Sequence, residues 1–316
     1  MYMIHGVIIP ILSLVAIFLF SVHKFSDHMQ RLAGERFKSI LRSFTSTPGR
    51  GFGIGVLFTS LIQSSTATTV ILVSLVHAGL LSFRSTLGVV FGANVGSTIT
   101  SQLVAMNVGN IAPYLVLFGF LITFSKKRFR EFGKLVFYFG LMFFSLFLVS
   151  VYLEPIKENR EVLDMLSHMS SFPIAVFAGF VLTAVIQSSG VVSGMIILLV
   201  GNGLMGFDQA FGMIIGANIG TTVTALIASV FMNIEAKKVA FGHFMFNLIG
   251  LFLFFPIQGL LLYAVDGIGG SVSQQVANAH LIFNVTCGIL FLIFINPFGR
   301  FIDWIGNILF SQKARS

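Results

Sequence analysis

The sequence predicts an all-α polytopic membrane protein made of two inverted-topology repeats, each with a re-entrant helical hairpin, plus an extra C-terminal helix. Composition, an internal repeat and an uneven spread of charge between loops carry that prediction. Of 316 residues, 56% are apolar and 9% are charged, with a mean hydropathy of +0.95. Soluble globular chains carry about 25% charged residues. So few charges cannot cover a water-facing surface, but they can cap helices at two membrane faces. The net charge of +8 does not point to a nucleic-acid partner. The basic residues sit in short loops between apolar runs, where positive-inside topology explains them. Cys287 stands alone, which excludes an intrachain disulfide and a Cys-rich metal site. The first apolar run, 4–22, has no basic stretch before it and no clear cleavage motif after it, so it reads as a retained helix.

The repeat recurs at a constant offset of 124 residues. Thr59, Gln63, Ser64 and Ser65 match Thr183, Gln187, Ser188 and Ser189. Gly92, Ala93, Asn94, Gly96, Thr98 and Thr100 match Gly216, Ala217, Asn218, Gly220, Thr222 and Thr224. Chance likeness between apolar helices would repeat Leu and Val, whereas here Gln, Asn and Thr recur.

Spanning helices are expected near 4–22, 84–107, 111–125, 134–152, 206–231, 239–264 and 277–296, since a span needs about 20 residues. Segments 51–80 and 172–203 each carry Gln-Ser-Ser at mid-length and read as two half-helices that enter and leave by one face. The whole chain is expected to form a single transmembrane domain, with repeat one over about 4–125, repeat two over about 128–264 and the extra helix over about 277–296.

Charge orients this layout. Lys24, Arg31, Arg36, Lys38, Arg42 and Arg50 outnumber Asp27 and Glu35 in segment 24–50. Loop 126–134 holds Lys126, Lys127, Arg128, Arg130 and Lys134 against Glu131, and Lys237, Lys238, Arg300, Lys313 and Arg315 fall on the same side. Segment 154–171 carries Glu154, Glu158, Glu161 and Asp164 against Lys157 and Arg160. The positive-inside rule then places the N-terminus outside and the C-terminus in the cytoplasm. Three spans per repeat make the second copy start from the opposite face, an architecture of secondary transporters.

The polar clusters QSSTATT, NVGSTIT, QSSGVVS and NIGTTVT cannot face lipid. A single Ser or Thr there is ordinary helix glue. Four clusters in two matched pairs, each pair beside a helix break, point instead to a binding site. At a broken helix the free N–H groups attract an anion and the free carbonyls a small cation. No Asp, Glu, Lys or Arg occurs in 51–83, 85–125, 172–207, 209–234, 239–265 or 267–299. Carboxylate proton relays are therefore absent from these segments. Any cation must be held by neutral oxygens, which suit an alkali ion. His243 and Asn247 lie four apart, as do His280 and Asn284, and so share helix faces. They read as buried histidines bonded to neighbouring helices, with proton coupling as the alternative.

QSSTATT, GANVGSTIT, QSSG and GANIGTTVT resemble the paired signatures of type II sodium–phosphate cotransporters over about residues 50–295. The resemblance implies a transporter and not an enzyme: sodium-coupled symport of inorganic phosphate by alternating access across the bacterial inner membrane. It implies no cofactor, with sodium as co-substrate and the lipid bilayer as surroundings. It assigns phosphate to Gln63, Ser64, Ser65, Gln187, Ser188 and Ser189. Sodium falls to Gln63, Ser65, Thr66, Asn94, Thr98, Gln187, Ser189, Ser193, Asn218 and Thr222. A third Ser frequent in that family is replaced here by Thr66 and Gly190. The alternatives are another oxyanion, phosphate export, and, remotely, an intramembrane serine hydrolase using Ser189 with His243 or His280.

Overall fold

The computed structural model describes residues 4–44, 47–157 and 171–311, and within them the secondary structure is helical with no strand. A π-helical turn (Ile4–Ile8) leads into α1 (Ile9–Phe44). There follow α2 (Pro48–Ile62), α3 (Ser65–His77), α4 (Phe83–Ala105), α5 (Ala112–Thr123) and α6 (Lys127–Leu153). The second half holds α7 (Phe172–Ile186), α8 (Ser189–Gly201), α9 (Phe207–Ser229), α10 (Ile234–Phe254), α11 (Gln258–Ile268), α12 (Val272–Ile293) and α13 (Ile295–Ser311). Among the described residues, 6 helical stretches are long and apolar enough to cross a bilayer: Gly6–Leu32, Phe83–Ala105, Phe129–Ile156, Phe207–Ser229, Ile234–Ile268 and Val272–Ile293. The protein is an integral membrane protein.

Boundaries differ from the sequence reading in several places: α6 and α12 start earlier, at Lys127 and Val272, and a 3₁₀ turn at Phe255–Ile257 divides the expected helix 239–264. Helix α1 does not stop at residue 22 but runs for 36 residues, so the charges from Lys24 onward ride on helix. Helix α5 has 12 residues, about 18 Å at 1.5 Å per residue, against a hydrocarbon core of about 30 Å. Its start is set by left-handed Asn107 (φ 57) and the 3₁₀ turn Val108–Asn110. Helix α10 starts at Ile234 because the Asn233 side chain accepts the Ala236 N–H at 3.0 Å. The tail after 296 is helical as α13. Glu158, Arg160, Glu161, Asp164, Lys313 and Arg315 lie outside the described residues, as do the side chains of Glu35, Arg36, Lys38, Arg42, Lys127 and Arg128.

The most extensive helix contacts join α2 to α4, α7 to α9 and α5 to α6, with α1 against α6 next. Glycine makes the first two possible. A Cβ at Gly92 would run into the Phe52 carbonyl oxygen, and one at Gly216 into that of Val176. One turn on, a Cβ at Gly96 would lie 2.6 Å from the Val56 oxygen and one at Gly220 2.5 Å from the Phe180 oxygen. The partners keep the offset of the sequence repeat, so backbone meets backbone in the same way twice. Because the two helices of each pair run side by side without side chains between them, the end of α2 is fixed against α4 and the end of α7 against α9.

The core behind these pairs is aromatic. Phe91 stacks on Phe246 at 4.8 Å and meets Phe291 and Phe298 at 5.8 and 5.7 Å. Helix α13 is held to α4 and α10 through Asp303, which accepts from Arg84 Nη2 at 2.6 Å and Lys238 Nζ at 3.0 Å. Burial opposes ionisation of Asp303, but the hydrogen bonds from Arg84 and Lys238 outweigh it and hold the carboxyl below its ordinary range.

Candidate functional site: two helix breaks at one cavity

Both Gln-Ser-Ser segments break their helices with the same backbone. Gln63 caps α2 in the left-handed region (φ 60, ψ 29) and its N–H returns to the Thr59 carbonyl. Gln187 caps α7 likewise (φ 61, ψ 24), with its N–H on the Thr183 carbonyl. A residue with a side chain pays about 1–2 kcal/mol for this conformation. The next residue is extended in both copies. Ser64 Oγ accepts the Ala67 N–H and Ser188 Oγ the Val191 N–H, starting α3 and α8. The Thr68 and Val192 N–H groups return to the Ser64 and Ser188 carbonyls. That leaves the N–H groups of Ser65, Thr66, Ser189 and Gly190 at the first helical positions, directed out of the helix ends.

The two helix ends meet. One small cavity, about 20 Å³, is lined by Gln63 to Thr66 from the first break and Gln187 to Gly190 from the second, with Ser97 and Thr100 of α4. It has room for about one water. The Gln63 amide is held from two sides. Its Nε2 donates to the Ser60 carbonyl at 2.5 Å, and its Oε1 accepts from the Thr100 hydroxyl at 2.6 Å. Gly190 brings the second break against the same hydroxyl, since a Cβ there would lie 3.3 Å from Thr100 Oγ1. Gln63, Ser64, Thr66, Gln187 and Ser188 also line a larger cavity of about 580 Å³, which extends along α1 past His23 and Asp27. The small cavity is thus the inner end of a vestibule.

The structure gathers Gln63, Ser64, Ser65, Thr66, Gln187, Ser188 and Ser189 around one space. It does not bring Asn94, Thr98, Ser193, Asn218 or Thr222 into that lining. The Thr98 and Thr222 hydroxyls turn back to the Val95 and Ile219 carbonyls of their own helices. Asn94 bonds His243 Nε2 at 3.0 Å, and Asn218 bonds His280 Nε2 at 3.2 Å. The other ring nitrogens meet Thr69 Oγ1 at 3.3 Å and Ser101 Oγ at 2.9 Å. Both histidines are buried and tie α10 and α12 to the helices around the site. With both nitrogens of each ring engaged in these contacts, neither is bonded to Ser189.

Sequence reasoning passed over Ser97 and Thr100 as ligand-facing residues. Their spacing of three within NVGSTIT was the available signal, because i and i+3 share a helix face. The two copies also differ. The Thr59 and Thr68 hydroxyls bond at 3.0 Å, whereas position 192, matching Thr68, is Val. Among the described residues, the buried Thr183 Oγ1, Ser193 Oγ and Thr224 Oγ1 have no hydrogen-bond partner.

The family described as Na+/Pi-cotransporter matches residues 17–151 and 156–283. "Uncharacterized protein YqeW" of Bacillus subtilis (strain 168) is 32% identical over 299 residues, 94% of this chain and 97% of that protein. "Putative inorganic phosphate export protein YjbB" of Escherichia coli (strain K12) is 25% identical over 297 residues, and the chain spans 55% of its length. "Sodium-dependent phosphate transport protein 2C" of Homo sapiens is 40% identical over 93 residues, 28% of this chain and 16% of that protein. No solved structure matches. A match over both copies of the motif and the helices that carry them places this chain in the Na+/Pi-cotransporter family.

Proposed function

We propose that the protein couples the movement of inorganic phosphate to sodium by alternating access. One observation carries the reading: the N-terminal ends of α3 and α8 converge on a cavity that no charged side chain lines. Each helix end presents free N–H groups and roughly half a positive charge, which suits an oxyanion. Phosphate takes Gln63, Ser64, Ser65, Gln187, Ser188 and Ser189 as its partners. Without Arg or Lys at the cavity, a divalent anion needs accompanying cations. Gln63, Ser65, Thr66, Gln187 and Ser189 offer neutral hard oxygens for them. Ser193 on α8 has an unpartnered buried hydroxyl, as have Thr183 on α7 and Thr224 on α9, which supports a cation in the second copy. Asn94, Thr98, Asn218 and Thr222 act from behind, by holding the walls. The name of the human relative supports sodium. The name of the YjbB relative supports phosphate, and it favours export as a second reading of direction.

In this reading the two copies are inverted in one transmembrane domain and the α2–α3 and α7–α8 pairs are re-entrant hairpins. The N-terminus is outside and the C-terminus cytoplasmic, in a bacterial inner membrane. The vestibule then opens to the cytoplasm, because the Asp27 end of α1 lies at the Glu131 end of α6, where His28 Nε2 is 3.5 Å from Glu131. Toward the opposite end, Gln102 of α4 meets Gln274 and Asn278 of α12 at 2.8 and 3.3 Å. Cysteines placed at Arg50 and Ser171 in a Cys287→Ser background are expected to label from opposite faces. Labelling from one face sinks the inverted layout.

The test of function is phosphate flux in proteoliposomes. A sodium gradient is expected to drive labelled phosphate across the membrane, and a pH gradient without sodium is expected to drive none. Flux under the pH gradient alone would replace sodium coupling by proton coupling. Reversing the sodium gradient and the orientation of the protein reads the direction.

A further inference from the structure

The vestibule holds two ionisable groups that the proposed binding site does not use. His23, Ser26, Asp27 and Gln30 of α1 face it at i, i+3, i+4 and i+7 spacing, one stripe of the helix. Among the described residues that line it, Asp27 is the one carboxylate and His23 the one other titratable group. His23 Nε2 lies 3.5 Å from Asp27 Oδ2, with the His23 side chain 75% exposed and that of Asp27 32%. Gln30 donates to Ser26 Oγ at 3.1 Å, so the rest of the stripe is neutral and internally paired. Every ion that reaches the helix breaks by this route passes the His23–Asp27 pair.

Other charges near the pair are committed or lie outside the lining. On α1, Lys24 lies over the Phe20 ring, His28 faces Glu131, and Arg31, one turn beyond Asp27, is not among the residues that line the vestibule. From α6, Glu131 is paired with Lys134 at 2.7 Å. Helix α2 has Arg50 as its single charge, and α3 and α8 carry no Asp, Glu, Lys or Arg. His5 lies about five helical turns away, at 3.6 residues per turn. Among the described residues that line the vestibule, the fixed charge is therefore that of Asp27.

We propose that Asp27 is the charge filter of the vestibule. It concentrates the cation and repels the doubly charged anion, and His23 beside it positions the carboxylate. The assignment of the two ions rests on the phosphate and sodium reading above; the filter itself is testable without it.

The experiment places a cysteine at Val70, a vestibule residue outside the breaks, in the Cys287→Ser background. Methanethiosulfonates bearing a trimethylammonium or a sulfonate group are compared at low salt, with the uncharged methyl reagent as the measure of access. The cationic reagent is expected to react faster. Asp27→Asn is expected to lower the cation-to-anion rate ratio by about tenfold, since the reagents differ by two charges in a medium between protein and water. Asp27→Glu restores it, and high salt erases the difference, because screening reaches about 10 Å at 0.1 M. A ratio unmoved by Asp27→Asn overturns the filter. The readout needs no transport, so vesicles that move no phosphate refute the function while leaving the filter standing.

Discussion

Replacing either break glutamine should abolish most transport while leaving a folded protein. Gln63 does two separable things. Its backbone occupies the left-handed region, and its amide joins the Ser60 carbonyl to the Thr100 hydroxyl. Gln63→Ala removes the amide but keeps the strain. Gln63→Gly removes the amide and relieves the strain, since glycine enters that region freely. If the amide is what matters, both variants lose function alike and the glycine variant melts at no lower temperature than the alanine one. An unpaired buried hydroxyl or ligand costs about 1–3 kcal/mol, a roughly five- to 150-fold weaker site. Gln187→Ala and Gln187→Gly are expected to behave the same way. Both substrate and sodium dependence, read as apparent affinities in vesicles, should weaken together. Wild-type transport by the two glycine variants would remove the helix breaks from the site.

The second large effect concerns folding. Gly92→Ala and Gly216→Ala each place a methyl group on a backbone carbonyl of the neighbouring helix, that of Phe52 or Val176. No rotamer relieves this clash, because backbone and not a flexible side chain stands in the way. The helices must part, with a loss of about 3 kcal/mol, the upper part of the usual range for overpacking. Gly53→Ala on α2 is the control, since nothing lies within 4 Å of a Cβ there. It should be neutral or mildly stabilising through helix propensity. Thermal unfolding in detergent reads all three. Equal melting of Gly92→Ala and wild type would mean that α2 and α4 stand further apart than described.

The site was legible because glutamine, serine and glycine are costly in a bilayer and recur together. Their duplication at one offset located both breaks at Gln-Ser-Ser, and the structure adds that the glutamine is the capping residue. What was not legible follows from tertiary pairing. Asn94 and Asn218 look like ligands in a motif, but two histidines from distant helices engage them. Ser97 and Thr100 look like filler, but the approach of α8 through Gly190 turns their face into a wall of the cavity. The largest error of scale was α1. Its charges from Lys24 onward read as a loop, because density of charge is a loop signal in a membrane chain. A helix that lines a water-filled vestibule carries charge for a different reason, and one-dimensional hydropathy cannot separate the two.

The hydroxyl pair Thr59–Thr68 has no counterpart in the second copy, where position 192 is Val and the Thr183 hydroxyl is unpartnered. The two halves thus differ by one fastening. In the proposed inverted layout the α7–α8 pair has a hydrogen bond fewer to surrender when it shifts, worth about 1 kcal/mol. It is therefore the half expected to yield first, while the gradients alone still set the direction of net flux.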